Sequence, residues 1–230
     1  MIIFKLKDKD VYLVTNFKVM FSTLKNQDNL LLISQNKKLL LHVIMSWFLP
    51  KSKFYLIVRN PFDRIISFYK SKFLNAEFNR LWMRKNEKGH WQKCTEHFFP
   101  ELNLSTKTSP KQISKVLEST SFKKMLSILP KVYQKDGHMT PQYYAKKFRF
   151  YKYGHKLCIP IKFEKIFKIE HKQDLQEIES IFGIDLSINY NPTNHITEKV
   201  RYDVESTKLI LNIYQKDFED FNYSRTPSNC

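Results

Sequence analysis

Arg59 and Ser67 are the residues whose types and spacing point to the most specific chemistry in this chain. Arg59 directly follows the apolar run of residues 54–58, and Ser67 lies two turns into the segment that begins at Pro61. The N-terminus of a helix offers unpaired N–H groups and positive potential, and an arginine adds a forked donor. This arrangement predicts an anion site, and a phosphate is the expected guest.

The elements that must position these two side chains can be inferred from their neighbours. Residues 54–58 are rich in β-branched and aromatic types, which predicts a strand covered on both faces, as in a parallel sheet. Asn60 suits an N-cap, Pro61 the first helical position and Asp63 a capping box, so a helix is predicted to begin here.

The predicted helix has an apolar face and a polar face. Arg64, Ser67 and Ser71 follow one another at three- and four-residue steps on the polar face. We therefore include Arg64 with Arg59 and Ser67 among the candidate anion-binding residues. On physical grounds alone, Arg59 and Ser67 are equally well explained as surface residues of an ordinary strand–helix unit.

The segment VRNPFDRIISFYKSKF resembles the motif by which sulfotransferases hold the 3'-phosphate of 3'-phosphoadenosine 5'-phosphosulfate (PAPS). That motif reads R-[DN]-P-x-[DE]-R-x-x-S-x-Y, and the chain resembles in particular the carbohydrate sulfotransferases of the chondroitin and HNK-1 type. The resemblance implies that Arg59 and Ser67 bind the 3'-phosphate and that adenosine 3',5'-bisphosphate is the product. A metal ion is not expected to be needed, because a sulfuryl group carries less charge than a phosphoryl group.

A second candidate segment, NFKVMFSTLKN, follows the first strand-like run. In the resembled family a loop at this place uses a lysine and hydroxyl groups to cradle the 5'-phosphosulfate, which here implies Ser22 and Thr23. With these two aligned, Val19 stands where the family has lysine, so Lys18 fills the lysine role only through a one-residue bulge, and Lys25 is its rival. The alternative is that the two hydroxyl residues merely cap a helix.

Two histidines are candidates for the base that removes a proton from the acceptor hydroxyl, because histidine accepts protons near neutral pH. His138 belongs to H-x-x-P-Q, which resembles a motif of the carbohydrate sulfotransferases and ends in Gln142. Otherwise His138 and Gln142 shape the pocket or fix a loop. His42 precedes the strand that leads to Arg59, but its apolar neighbours also suit an ordinary core or surface histidine.

The bulk composition limits the classes of protein that fit. A hydrophobic content of 42% with only 4 Gly indicates a packed globule, and 230 residues suit one domain. The net charge of +17 predicts anionic partners without choosing among them. Cys94, Cys158 and Cys230 have no spacing typical of a disulfide framework or a zinc site. Since no run is long enough to span a bilayer, we expect a soluble, cytoplasmic protein.

Short apolar runs alternate with helical patterns along the chain, which predicts a three-layer α/β fold with a mainly parallel sheet. The resemblance adds a P-loop-NTPase-like core and a single sulfotransferase domain over residues 1–230. We expect a helical, acceptor-side insertion at about residues 74–135. Further strands are predicted at 30–34 and 158–163, and further helices at 37–49, 109–129, 174–182 and 205–223.

These observations together predict a sulfotransferase that moves a sulfuryl group from PAPS to a hydroxyl, with a glycan as the expected acceptor. Two alternatives remain open at this point. One is a catalytically inactive, nucleotide-binding relative, and the other is a basic nucleic-acid-binding protein. Nucleic acid is not the expected partner, because the usual binding motifs are missing from the sequence.

Overall fold

The computed structural model describes residues 1–33, 37–48, 52–76, 93–152, 155–187 and 200–227. The chain divides into two compact units. Unit 1 comprises Met1–Asn60 and Gln142–Asn191, and unit 2 comprises Pro61–Pro141 and Pro192–Cys230. The prediction of a single domain with a helical insertion stays a prediction, and residues 77–92 of that insertion lie outside the described residues.

The bounds of the described helices and strands are as follows. In chain order they are β1 (Ile2–Leu6), β2 (Val11–Thr15), α1 (Phe21–Lys25), β3 (Leu30–Ile33), α2 (Lys37–Phe48), β4 (Lys53–Val58), α3 (Pro61–Lys72), α4 (Lys93–Glu96), a 3-10 helix (Phe99–Leu102), α5 (Pro110–Ser119), α6 (Phe122–Val132), a second 3-10 helix (Gln142–Lys146), β5 (Lys147–Lys152), β6 (His155–Pro160), β7 (Lys165–Lys168), α7 (Lys172–Phe182), α8 (Val204–Ile213) and α9 (Gln215–Asp220).

Unit 1 contains a mixed sheet with the strand order β3-β1-β2-β4-β7. The pairs β2–β4 and β4–β7 are parallel, whereas β1 is antiparallel to both of its neighbours, β2 and β3. The mixed α/β class is therefore confirmed, and the parallel part of the sheet is limited to β2, β4 and β7. A separate antiparallel hairpin is formed by β5 and β6.

The sheet of unit 1 is held by apolar side chains that its strands share with α1 and α7. β4 is buried from Phe54 to Val58, as its unbroken apolar run predicts. The buried cluster includes Ile2, Phe4, Leu13, Leu24, Tyr55, Ile57, Phe167, Ile178 and Phe182. This packing fixes where β2, β4 and β7 end, and therefore where the residues that follow them lie.

Unit 2 is helical among its described residues, with a core built on the apolar face of α3. Ile65, Phe68 and Tyr69 of α3 are buried, and the cluster around them includes Phe98, Ile113, Leu117, Met125, Leu129, Ile210, Tyr214 and Phe218. The predicted helix 109–129 is two helices, because Ser121 starts a second one by accepting a hydrogen bond from the Lys124 N–H. No helix among the described residues has the length and apolarity needed to cross a membrane.

The structure differs from the predicted elements at three further places. β1 was not predicted, because its apolar run is short and interrupted by Lys5. The strand predicted at 158–163 was placed too early: β6 ends at Pro160, and β7, which joins the main sheet, begins at Lys165. The closing helix predicted at 205–223 is split at Tyr214 into α8 and α9.

Candidate functional site

Polar groups gather in unit 1 where its parallel strands end. β2, β4 and β7 run in the same direction, so residues 16–20, 59–60 and 169–170 follow their carboxyl ends at one side of the sheet. We call these residues the carboxyl edge. In open α/β sheets, ligands bind at this edge, since the loops there are free to form a crevice.

The backbone of Arg59 is clamped by one side chain of the predicted H-x-x-P-Q motif. The Arg59 N–H donates to Gln142 Oε1 at 2.9 Å, and Gln142 Nε2 donates to the Arg59 carbonyl at 2.7 Å. Gln142 is fully buried. The next residue is held as well, because the Asn60 N–H donates to Glu170 at 2.7 Å. Arg59 therefore leaves β4 in a fixed direction, which is the loop-fixing role that the sequence allowed for Gln142.

The Arg59 guanidinium reaches the loop that follows β2, donating from Nη1 to the Lys18 carbonyl at 3.3 Å. Lys18 and Met20 both have positive φ, 65° and 55°, which is uncommon for residues other than glycine. Val19 between them is buried, and its carbonyl accepts a hydrogen bond from Thr15 Oγ1 at 3.0 Å. Lys18 is half-buried, so of these two neighbours it is the lysine, not the valine, that keeps solvent access.

Ser22, Thr23 and Lys25 all lie in the five-residue helix α1. The N-cap of α1 is Met20, whose side chain makes no capping hydrogen bond, so neither hydroxyl residue is the N-cap. Ser22 is half-buried, Thr23 is buried and Lys25 is exposed in the last turn. The structure thus places all three in the segment that follows Lys18, within unit 1.

Asn16 is a polar residue of the carboxyl edge that the sequence analysis missed. Its side chain is 6% exposed, and Nδ2 has no hydrogen-bond partner among the described residues. Buried amide donors are rarely left unpaired, because the loss of water costs free energy. An unpaired donor directly after β2 suits an acceptor oxygen from a ligand. A polar residue immediately after an apolar strand was the only signal for it in the sequence.

His42 lies at the other end of the strands of the same sheet, next to residues that precede β2 and β4. Its Nδ1 is 3.0 Å from Ser52 Oγ and 3.9 Å from Asp10 Oδ2. Asp10 and Ser52 precede β2 and β4, and we call Asp10, His42 and Ser52 the amino edge. With about 3.3 Å per strand residue, the length of β4 separates Ser52 from Arg59 by roughly 20 Å. The structure thus places His42 at the opposite end of β4 from Arg59.

Arg64, expected on a polar face of α3, is fully buried inside unit 2. Its Nη2 donates to the carbonyls of Met139 at 3.2 Å and Thr140 at 2.7 Å, and its guanidinium lies 5.4 Å from the centre of the Tyr214 ring. Residues far along the chain, Met139, Thr140 and Tyr214, enclose the arginine, so periodicity alone misplaced it. Arg64 holds a loop and is not available to a ligand in solvent, whereas Ser67 is half-buried on α3.

His138 is paired with Asp136 in that loop. Its Nδ1 is 2.5 Å from Asp136 Oδ1, and its backbone N–H donates to the same oxygen at 2.8 Å. Burial raises the pKa of the Asp136 carboxyl, but the hydrogen bonds from His138 outweigh burial, so this pKa lies below its ordinary value. A carboxylate that holds one ring nitrogen orients the imidazole and stabilises its protonated form, as a general base requires.

Comparison with known proteins places this geometry in a family. A family model described as "Sulfotransferase family" matches residues 17–224, which begin in the loop after β2 and end just after α9. No curated protein and no solved structure matches the chain significantly. The match covers most of the chain and includes the segments of Lys18, Arg59 and His138. The chain therefore belongs to the sulfotransferase family.

Proposed function

We propose that the protein transfers a sulfuryl group from PAPS to a hydroxyl group, with a sugar hydroxyl as the acceptor. Membership of the family supports sulfuryl transfer in general. One observation in unit 1 carries the proposal further. Lys18, Arg59 and Gln142 come from separate motifs, and the hydrogen bonds of Arg59 join all three at the carboxyl edge.

The residues of the carboxyl edge fit the anionic groups of PAPS. The unpaired Nδ2 of Asn16 is an available donor, and Arg59 adds a guanidinium. In the proposal Arg59 holds the 3'-phosphate, and Ser67, which follows it in the motif, stays a sequence-based prediction for the same contact. When bound, PAPS supplies the activated sulfuryl group.

The loop after β2 has the task of stabilising charge on the leaving phosphate. Lys18, with the hydroxyls of Ser22 and Thr23, is our assignment for this role, because Lys18 lies against Arg59 while Lys25 is exposed at the far end of α1. Fixed donors stabilise charge where it develops at little reorganisation cost. The P-loop-like character of this loop belongs to the same proposal.

His138 is our assignment for the base. Its pairing with Asp136 supports this, because the carboxylate fixes one ring nitrogen and orients the imidazole for proton transfer. Arg64 has a positioning role in the proposal, since it holds the carbonyls of Met139 and Thr140 next to the histidine.

A transfer assay with labelled PAPS tests the proposal directly, using a panel of glycans, phenols and tyrosine peptides as acceptors. His138→Ala should lower turnover by about 100-fold or more while donor binding stays intact, because general bases contribute at least that much. His42→Ala is the matched control, since the two side chains are 18% and 19% exposed. Loss of turnover in His42→Ala alone would move the assignment to His42.

A binding assay separates the proposal from its alternatives. Adenosine 3',5'-bisphosphate should raise the melting temperature more than ATP or single-stranded DNA does, because only specific binding to the native state stabilises it appreciably. Binding without transfer to any acceptor would indicate an inactive relative. Preference for DNA would indicate a nucleic-acid-binding protein.

A further inference from the structure

A cysteine, an aspartate and a histidine come together in unit 2, although no spacing of residues in the sequence indicated a metal site. One ligand atom each of Cys94, Asp136 and His138 lies within 4.8 Å of the other two. Cys94 is 1% exposed and sits in α4, whereas Asp136 and His138 belong to the loop after α6. Thiolate sulfur, imidazole nitrogen and carboxylate oxygen are the donor types that Zn²⁺ prefers in proteins.

We propose that Cys94, Asp136 and His138 form a binding site for Zn²⁺ and that occupation of this site inhibits sulfuryl transfer. The binding half of this inference depends only on the three side chains. The inhibitory half rests on the proposed function, because it needs His138 to be the base. A neutral imidazole that binds a metal ion through one nitrogen carries its proton on the other, so neither nitrogen can take a proton from an acceptor hydroxyl.

The geometry is close to what a tetrahedral zinc ion requires. With Zn–S near 2.3 Å and Zn–N and Zn–O near 2.0–2.2 Å, neighbouring ligand atoms lie about 3.3–3.8 Å apart. The observed separations, all within 4.8 Å, exceed these values by about 1.5 Å at most, and binding through His138 Nδ1 would replace its hydrogen bond to Asp136. Three protein ligands leave a fourth position for water, as in zinc sites that remain accessible.

The loop that carries two of the ligands is already ordered. The N–H groups of Met139 and Thr140 donate to the Asp136 carbonyl at 3.1 and 3.0 Å, and Tyr214 donates to the Met139 carbonyl at 2.6 Å. Because these bonds fix the backbone of the turn, metal binding would order little further chain. Ligands that are held in place before binding lose less entropy on binding.

Charge also favours a divalent cation here. A thiolate and a carboxylate together neutralise Zn²⁺, so a poorly hydrated site gains no net charge.

Cobalt(II) is the direct probe of the site, because a thiolate bound to Co²⁺ gives a charge-transfer absorption band that oxygen and nitrogen ligands do not. The reduced, full-length protein without donor or acceptor should develop this band at one equivalent of Co²⁺, and Zn²⁺ should displace it. Cys94→Ser should abolish the band. Cys158→Ser is the matched control and should retain it, since Cys158 is an exposed thiol outside the cluster.

A second variant guards against misfolding as the cause of a loss. Asp136→Asn keeps the shape of the side chain and should weaken Zn²⁺ binding at least about tenfold while circular dichroism stays unchanged. Absence of the band in the wild type, or its persistence in Cys94→Ser, would overturn the site.

The inhibitory half has its own readout. Zn²⁺ should inhibit wild-type transfer at the concentration that fills the cobalt-competing site, and a chelator should restore it. The ratio of activities with and without Zn²⁺ should return towards one in Cys94→Ser. Inhibition that is equal in both proteins would overturn this half, whereas a failed transfer assay would leave the spectroscopic result standing.

Discussion

Polar residues lie at both the amino edge and the carboxyl edge of the unit-1 sheet, but they make different kinds of hydrogen bond at the two edges. At the amino edge the side chains bond to one another: Asp10 accepts from Lys5 at 2.9 Å and from Tyr12 at 3.5 Å. At the carboxyl edge, Gln142 and Glu170 bond to the backbone of Arg59 and Asn60.

The difference separates a structural cluster from a candidate binding site. Side chains that satisfy each other have little capacity left for a ligand, which describes Asp10 and His42. At the carboxyl edge the clamps hold backbone groups, and Asn16 keeps a donor without a partner among the described residues. The comparison assigns ligand binding to the carboxyl edge and stability to the amino edge.

Arg59→Ala should give the largest effect, because it removes a charged donor from the carboxyl edge. We expect the dissociation constant for adenosine 3',5'-bisphosphate to rise about tenfold or more, a loss of roughly 1.4 kcal/mol or greater. Isothermal titration calorimetry measures this dissociation constant. Arg149→Ala removes the same charge from β5 and should leave the affinity nearly unchanged. Equal losses in both variants would show that only net charge matters.

Gln142→Leu should come second, because it orphans the N–H and carbonyl of Arg59. We expect a loss of about 1–3 kcal/mol in the free energy of unfolding and a smaller loss of ligand affinity than Arg59→Ala causes. Unfolding in urea measures the change in the free energy of unfolding. The control Gln134→Leu changes an exposed glutamine and should cost no more than about 0.5 kcal/mol. An unchanged stability of Gln142→Leu would contradict the clamp.

Asn16→Leu should have two opposite effects. Replacing an unpaired buried amide with an apolar group of similar size should stabilise the free protein by up to about 1 kcal/mol, while ligand affinity falls about threefold. Thermal melts with and without adenosine 3',5'-bisphosphate measure both. Asn29, whose Nδ2 donates to the Gly183 carbonyl at 2.6 Å, is the contrasting case, and Asn29→Leu should only destabilise.

Asp10→Asn should produce the smallest effect and should act on stability alone. The hydrogen bond from Lys5 is the main cause that lowers the pKa of Asp10 below its ordinary value. Its stabilising contribution is therefore complete above pH about 4 and disappears as the pH falls through the lowered pKa. The melting curves of the variant and the wild type should converge in acid. A difference that persists there would mean that the ion pair is not its source.

The sequence predicted the parts of the molecule that depend on local signals. The apolar run of β4 and the start of α3 at Pro61 lie where the strand and cap patterns placed them. The helix predicted at 174–182 ends where α7 does, at Phe182, and Gly183 with φ of 60° follows as its C-cap. Such features need only neighbouring residues, so one segment suffices to identify them.

The sequence did not predict which residues from distant parts of the chain lie close together. Nothing in the periodicity of α3 distinguishes Arg64, which is enclosed by helices far along the chain, from Ser67. His42 is a candidate base because it precedes β4 in sequence. The direction of the strand, however, places it at the amino edge, opposite Arg59. Cys94 and His138 lie in different elements, so spacing rules for metal ligands could not detect their approach.

Hydrogen exchange can measure how often the hydrogen bonds between Gln142 and the backbone of Arg59 open. The Arg59 N–H donates to the buried side chain of Gln142, so deuterium can replace the amide hydrogen only while this hydrogen bond is broken. The exchange rate of this one amide therefore gives the fraction of time that the arginine spends released. An exchange rate that falls further when adenosine 3',5'-bisphosphate is added would show that ligand binding keeps this hydrogen bond closed for a larger fraction of the time.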